Sequence, residues 1–156
     1  MPNPRRIKRY QLLEKIETTE VKVTSTDVQK AWKESSGRKM DCMCLDRFFY
    51  AQTPEVWDHV LQYSSVNNKK YVSDRFDCDD FAFALKGTMG QKLSIGSSIG
   101  VIVDYSGKHA YNALLVTDDN KLSIQFLEPQ QDTFVTRGSR MSSTEMYKMT
   151  RGYVIF

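Results

Sequence analysis

YVSDRFDCDDFAFAL, Tyr71 to Leu85, sets one cysteine, Cys78, among Asp74, Asp77, Asp79 and Asp80, immediately ahead of an apolar run with helical spacing. Asp77 can cap that helix, with Asp80 three residues later in the place of a capping-box acid, which makes Cys78 the first helical residue. A helix N-terminus carries about half a positive charge and favours a thiolate at its first position. Carboxylates within three residues act the other way, because like charges a few ångströms apart disfavour a second anion. A hard cation held by the aspartates would resolve the conflict, since clustered carboxylate oxygens are what Ca²⁺ prefers. Asp74 and Asp77 stand open at this point as metal ligands or as caps.

Downstream, Phe81, Ala84, Leu85 and Thr88 share one helical face flanked by Ala82 and Met89, so the helix is expected to be largely buried, with Gly87 and Gly90 ending it. From Gly96 the period changes from helical to two. SSIGVIVDYS, HAYNALLVTD, KLSIQFLEP, DTFVT and GYVIF read as five strands, and SSTEMYKMT (Ser142 to Thr150) as a short helix before the last of them. Upstream, Thr53-Pro54-Glu55 opens a helix over VWDHVLQYSS, and STDVQKAWKESS (Ser25 to Ser36) reads as an amphipathic helix stopped by Gly37. QLLEKI and VKVT before it fit a short helix and a short strand. Helices first and an antiparallel sheet after them give an α+β fold.

The 156 residues, 40% hydrophobic and 12% aromatic, suit one domain able to bury its own core. Net charge is +3, and residues 1–15 hold five Lys or Arg against one acid, leaving 17 basic against 18 acidic residues in the rest. Residues 1–24 therefore read as a basic arm and residues 25–156 as the domain. Its body offers no basic nucleic-acid surface. No apolar run approaches 18 residues and the start lacks a signal-like apolar segment, so neither a membrane span nor secretion is expected, and the cytoplasm is the default. Three cysteines do not make a complete disulfide framework, and the CxC at Cys42 and Cys44 is not the CxxC of a zinc ribbon.

A thiol nucleophile needs a base and a third group to orient it. The chain has two histidines. His59 falls on the polar side of its helix and reads as solvated. His109 begins a strand just after the Ser106-Gly107 turn, and Glu128 and Gln130 on the next strand can hydrogen-bond an imidazole. Cysteine at a helix start, histidine on one strand and acid or amide on the next is the order of papain-like and transglutaminase-like folds. The alternative is a turn histidine bonded to backbone and a buried, inert thiol.

DRFDCDDFAFALKG (Asp74 to Gly87), GKHAYNALLV (Gly107 to Val116) and IQFLEPQ (Ile124 to Gln130) resemble the agglutinin C-terminal domain family, a group of papain-like, calcium-dependent cysteine proteases founded on the Marasmius oreades agglutinin, with relatives in bacteria and phages. The similarity runs over roughly residues 45–156, with DCDDFA as its specific part. The resemblance implies a papain-like domain in which Cys78 is the nucleophile, His109 the base and Glu128 its orienting residue. It also implies a binuclear Ca²⁺ site with Asp79 and Asp80 as ligands and Asp74 and Asp77 as further candidates. The mushroom protein's β-trefoil, with its Gln-x-Trp repeats, has no counterpart here, so sugar binding is not inherited. A papain-type glutamine before the nucleophile is also missing, because Val72 lies six residues upstream; Gln52 is the substitute considered for the oxyanion hole.

These readings together lead to Ca²⁺-dependent hydrolysis of a protein or peptide substrate through an acyl-thioester. Two alternatives stand beside it: transglutaminase-like or peptidoglycan amidase acyl transfer with the same triad, and a catalytically silent, Ca²⁺-stabilised binding module. Because the mushroom member pairs through this domain, the resemblance also implies a homodimer.

Overall fold

The computed structural model describes residues 7–138, 140–141 and 144–156. In chain order the elements are α1 (Arg9–Thr19), β1 (Val21–Thr24), α2 (Ser25–Ser36), β2 (Asp41–Met43), β3 (Phe48–Ala51), α3 (Pro54–Tyr63), α4 (Cys78–Leu93), β4 (Ile99–Asp104), β5 (His109–Asp118), β6 (Lys121–Glu128), β7 (Thr133–Val135), β8 (Arg140–Met141), β9 (Thr144–Glu145) and β10 (Gly152–Ile155). A six-stranded sheet runs β2-β10-β4-β5-β6-β7, and β1 pairs with β3 and β8 with β9 in separate two-stranded ribbons. All pairings in the large sheet are antiparallel except β10 with β2. The fold is α+β.

β5 is buried along nine consecutive residues because both faces of the sheet are covered. Its two-residue period sends Tyr111, Ala113 and Leu115 to one side, where they join Trp32 of α2 with Phe126, Tyr147 and Val154. Leu114 and Val116 point to the other side, into a second core with Leu12 of α1, Trp57 of α3 and Phe81, Leu85 and Met89 of α4. The result is three layers, with the sheet between the α2 side and the α1–α3–α4 side. Within the stretch read as a basic arm, α1 is folded into this second core, where Leu12 and Ile16 are buried, and β1 pairs with β3 with Val23 against the first core. Arg5 and Arg6 lie outside the described residues.

The local signals place most elements. Thr53 Oγ1 accepts the Val56 N–H at 3.3 Å with Pro54 in the first turn of α3. Thr24, one residue ahead of the expected start, caps α2 through the Asp27 N–H at 3.2 Å, and Gly37 closes that helix at φ 78°. Two expectations fail. α4 passes through Gly87 and Gly90 to Leu93, and Ser94 at φ 59° ends it. Gly90 is small for packing: a Cβ there would lie 3.3 Å from the Gly96 Cα, so the glycine admits a close backbone approach. The helix expected over Ser142 to Thr150 is not formed in its described part, where Thr144–Glu145 is strand and the following residues to Met149 are irregular. Ser142 and Ser143 lie outside the described residues.

α4 is fixed over the sheet by polar ties. Asn112 of β5 donates through Nδ2 to the carbonyls of Ala82 at 3.0 Å and Gly100 at 3.1 Å. Lys86 Nζ donates to the carbonyls of Gly96 and Ile99, both at 2.7 Å, and burial pulls its pKa down. The first tie lies one helical turn from Cys78 and three residues from His109.

Candidate active site

The loop ahead of α4 is a tight hairpin. Val72 and Phe76 exchange backbone hydrogen bonds at 2.9 and 2.8 Å, with Asp74 at its tip in the left-handed region, φ 58°. Asp77 precedes the helix with extended backbone, and its N–H donates to the Asp80 carboxylate at 3.2 Å. The Asp77 carboxylate turns back to accept the Asp74 N–H, also at 3.2 Å. This geometry begins the helix at Cys78, which is half-buried.

Among the described residues one group of potential ligand atoms converges: those of Asp77, Cys78 and Asp79 lie within 4.8 Å of one another. Two carboxylates that close cannot both ionise without cost. Hydrogen bonding with Asp79 holds Asp77 below the usual carboxylate range, and the same contact, with burial, pushes Asp79 above it. Hard oxygen donors under mutual repulsion suit a divalent cation. Asp80 is engaged in the helix cap, and Asp74 sits at the exposed hairpin tip, where it accepts from Ser73 Oγ at 3.3 Å.

His109, at the start of β5, is buried, and its Nε2 lies 2.6 Å from Glu128 Oε2 at the end of β6. With Nε2 bound to Glu128, Nδ1 is the ring nitrogen left for a second partner. Burial alone would lower the His109 pKa, but hydrogen bonding to Cys78 and Glu128 and the charges of both outweigh it and push the ring up to about 9. Glu128 is 1% exposed. Its Oε1 accepts the Gln130 backbone N–H at 3.2 Å, so Gln130 acts here through its main chain. Gln52 does not join the site. It pairs with Val116, seven residues along β5 from His109 and so about 24 Å away, and its Nε2 donates to Glu20 and Ser98. His59, half-buried, has Nε2 3.8 Å from Glu55 in its own helix and takes no part.

Three residues that sequence reasoning passed over frame the imidazole. Tyr111 stacks on His109 with ring centres 5.7 Å apart, and Tyr147 meets it edge-on at 5.6 Å. Asp104, buried at the end of β4, accepts from Ser106 Oγ, the Gly107 N–H at 3.0 Å, Tyr111 OH at 3.1 Å and the Met149 N–H at 2.9 Å, and so fixes the turn that leads into His109. The turn residues Ser106 and Gly107 were the visible trace of this arrangement; the acid two residues before them was not connected to it. A Cβ on Gly107 would lie 1.9 Å from the Met146 carbonyl oxygen. Gly107→Ala is therefore expected to cost about 2–3 kcal/mol, read as a lower urea midpoint, because backbone rather than a flexible side chain must give way.

The model of the ricin-type beta-trefoil lectin C-terminal domain matches residues 20–147. The chain belongs to that family. No curated protein matches the sequence. Among the solved structures that share this fold are two with similar figures. The PSL1a-E64 complex is 20% identical with a TM-score of 0.62, and the match covers 86% of this chain and 51% of that one. Polyporus squamosus lectin bound to a human-type influenza-binding epitope is 21% identical with a TM-score of 0.63, and the match covers 86% and 49%. The chain thus spans about half the length of either. No described helix is long and apolar enough to cross a membrane.

Proposed function

We propose that the domain is a Ca²⁺-dependent cysteine peptidase with a papain-like arrangement, in which Cys78, His109 and Glu128 hydrolyse a peptide bond through an acyl-thioester. The observation that carries this reading is the buried His109–Glu128 pair at 2.6 Å, whose ring is raised to about 9 by Cys78 as well as by Glu128. A turn histidine satisfied by backbone would need neither partner.

His109 takes the thiol proton, and the helix N-terminus favours the resulting thiolate. The thiolate attacks the substrate carbonyl while backbone N–H groups of the first turn of α4 stabilise the oxyanion. His109 then protonates the leaving amine, and with that proton gone it activates the water that releases the acyl group. Glu128 keeps the ring in one orientation throughout. Asp77 and Asp79 would hold a Ca²⁺ ion, with Asp74 and Asp80 in the same loop as further donors. The ion supplies positive charge that offsets the repulsion among the carboxylates beside the thiol.

Millimolar Ca²⁺ is expected to raise the melting temperature by about 5 °C, because an ion that binds only the folded loop stabilises it by mass action. Scanning fluorimetry with and without chelator reads the shift, and its absence in Asp77→Asn/Asp79→Asn would place the ion. An unchanged melting temperature in the native chain would end the metal part of the proposal.

A second reading has its own support. Two solved chains with this fold are about twice as long, and one of them is a lectin solved with a glycan epitope; the cavity of about 620 Å³ between Pro54, Asp58, Phe126 and Arg137 does not touch Cys78. On that reading the domain is a Ca²⁺-stabilised binding module with a silent triad. Iodoacetamide labelling of Cys78 in the Ca²⁺ form, followed by peptide mass spectrometry, separates the two: an unreactive Cys78 favours the module. Should the thiol be reactive without peptide-bond cleavage, product analysis with amine acceptors and cell-wall peptides tests the acyl-transfer alternatives.

A further inference from the structure

Tyr147 donates its hydroxyl to Glu128 Oε2 at 2.8 Å, the same oxygen that His109 Nε2 approaches at 2.6 Å. The other oxygen, Oε1, accepts the Gln130 N–H. The Glu128 carboxylate is thus held by three donors, and only one of them is the imidazole. Tyr147 is fully buried, and its ring packs edge-on against both His109 and Tyr111, the latter at 4.9 Å. Two residues further on, the Met149 N–H donates to Asp104, so this stretch of chain is pinned at both ends of the imidazole pocket.

We infer that Tyr147 is a positioning residue for the triad: its hydroxyl fixes which way the Glu128 carboxylate faces and thereby the orientation of the His109 ring toward Cys78. The inference rests on the triad reading above. A carboxylate with a single donor can swing about its terminal torsion, which is broad and roughly two-fold. With one hydroxyl and one backbone N–H clamping its two oxygens, Glu128 presents Oε2 to His109 in one pose. Such partners of an orienting group commonly matter as much as a direct ligand does. The hydroxyl acts on His109 through Glu128, whereas the edge-on packing of the ring on His109 is kept in Tyr147→Phe.

The test is the rate of Cys78 alkylation by iodoacetamide at fixed pH and millimolar Ca²⁺, read peptide by peptide so that Cys42 and Cys44 are counted separately. It is run on the native chain, Tyr147→Phe, Glu128→Ala and the double variant. Tyr147→Phe keeps the ring and is expected to slow Cys78 about tenfold, the effect of losing one hydrogen bond to a charged group. In the Glu128→Ala background the same change should have no further effect, because its route to His109 is already gone. The downfield proton NMR resonance of the His109 Nε2–H should move in Tyr147→Phe. A merely structural tyrosine would change the melting temperature and leave that resonance where it is.

If native Cys78 is fast and Tyr147→Phe equals it, or if the two changes are additive, the inference falls and the triad stands. If native Cys78 is no faster than a free thiol, the triad reading falls and this inference with it. Should Tyr147→Phe fail to fold, site-specific 3-fluorotyrosine at position 147 keeps the packing and makes the phenol a stronger donor. It must then shift the His109 resonance, and an unshifted line overturns the inference.

Discussion

Cys78→Ala is expected to abolish hydrolysis of a generic protein substrate, by at least about 10⁴-fold in kcat, while leaving the fold intact. The magnitude follows from what the thiol is asked to do. Without it no acyl-thioester forms, and the oxyanion donors and binding alone account for only a residual rate. The side chain is half-buried at the first turn of α4, so a methyl group in its place creates no large cavity, and the melting temperature should stay within about 2 °C. Casein cleavage followed by mass spectrometry in millimolar Ca²⁺ is the measurement. Activity that survives the change would remove Cys78 from the mechanism. Loss of activity together with loss of fold would call for His109→Ala, which keeps the thiol and removes the base.

Glu128→Gln should produce the largest coupled change in stability and pH response. The carboxylate is buried, and removing the charge from one side of such a pair leaves the other uncompensated, at about 3 kcal/mol or more. The sign with pH follows from the histidine. Its folded pKa of about 9 lies above the ordinary 6.5, so the stability it contributes is complete below about pH 6.5 and disappears as pH rises through 9. Over that interval the native protein should lose about 3 kcal/mol from this group, seen as a falling urea midpoint. In Glu128→Gln only the contact with Cys78 is left to raise the ring against burial, so the decline between pH 6.5 and 9 should become shallower. A native protein whose urea midpoint is level across that window would mean that the pair is not ionised as described.

Much of this architecture lies on the surface of the sequence, and what is hidden is hidden for reasons that can be named. β4, β5 and β6 follow one another with short turns, so their pairing is local and their alternation is easy to read. β2 is three residues long, and its partner Tyr153–Ile155 stands more than a hundred residues away; no local signal announces it. Gly90 was misread because a glycine that ends a helix and one that lets two backbones meet look the same in sequence. Within the candidate site, Cys78, His109 and Glu128 could be proposed from order along the chain, and the structure brings His109 against Glu128. Gln52 could not be discarded in that way, since only the pairing with Val116 shows how far along β5 it lies. The resemblance singles out Asp79 and Asp80 and leaves Asp74 and Asp77 open; in the structure Asp77 and Asp79 converge, while the Asp80 carboxylate accepts the Asp77 N–H in the cap. Tyr147 gave no sign because the apolar and polar spacing around it fits a helix, whereas its hydroxyl is bound to an acid nineteen residues earlier.

The place of β10 between β2 and β4 bears on when this protein can become itself. Residues 152–155 fill a slot inside the sheet, and Phe156 adds backbone bonds with Met43 and Leu45. A ribosome delivers β2, α4 and the His109 and Glu128 strands well before the residues that join the sheet's two parts. Until they arrive, β2 lacks its partner in the sheet and β4 exposes an edge, so the nascent domain carries an open seam until residues 152–155 emerge. Closing it requires contacts of long sequence separation, which places folding on the slow, millisecond-to-second side of small domains.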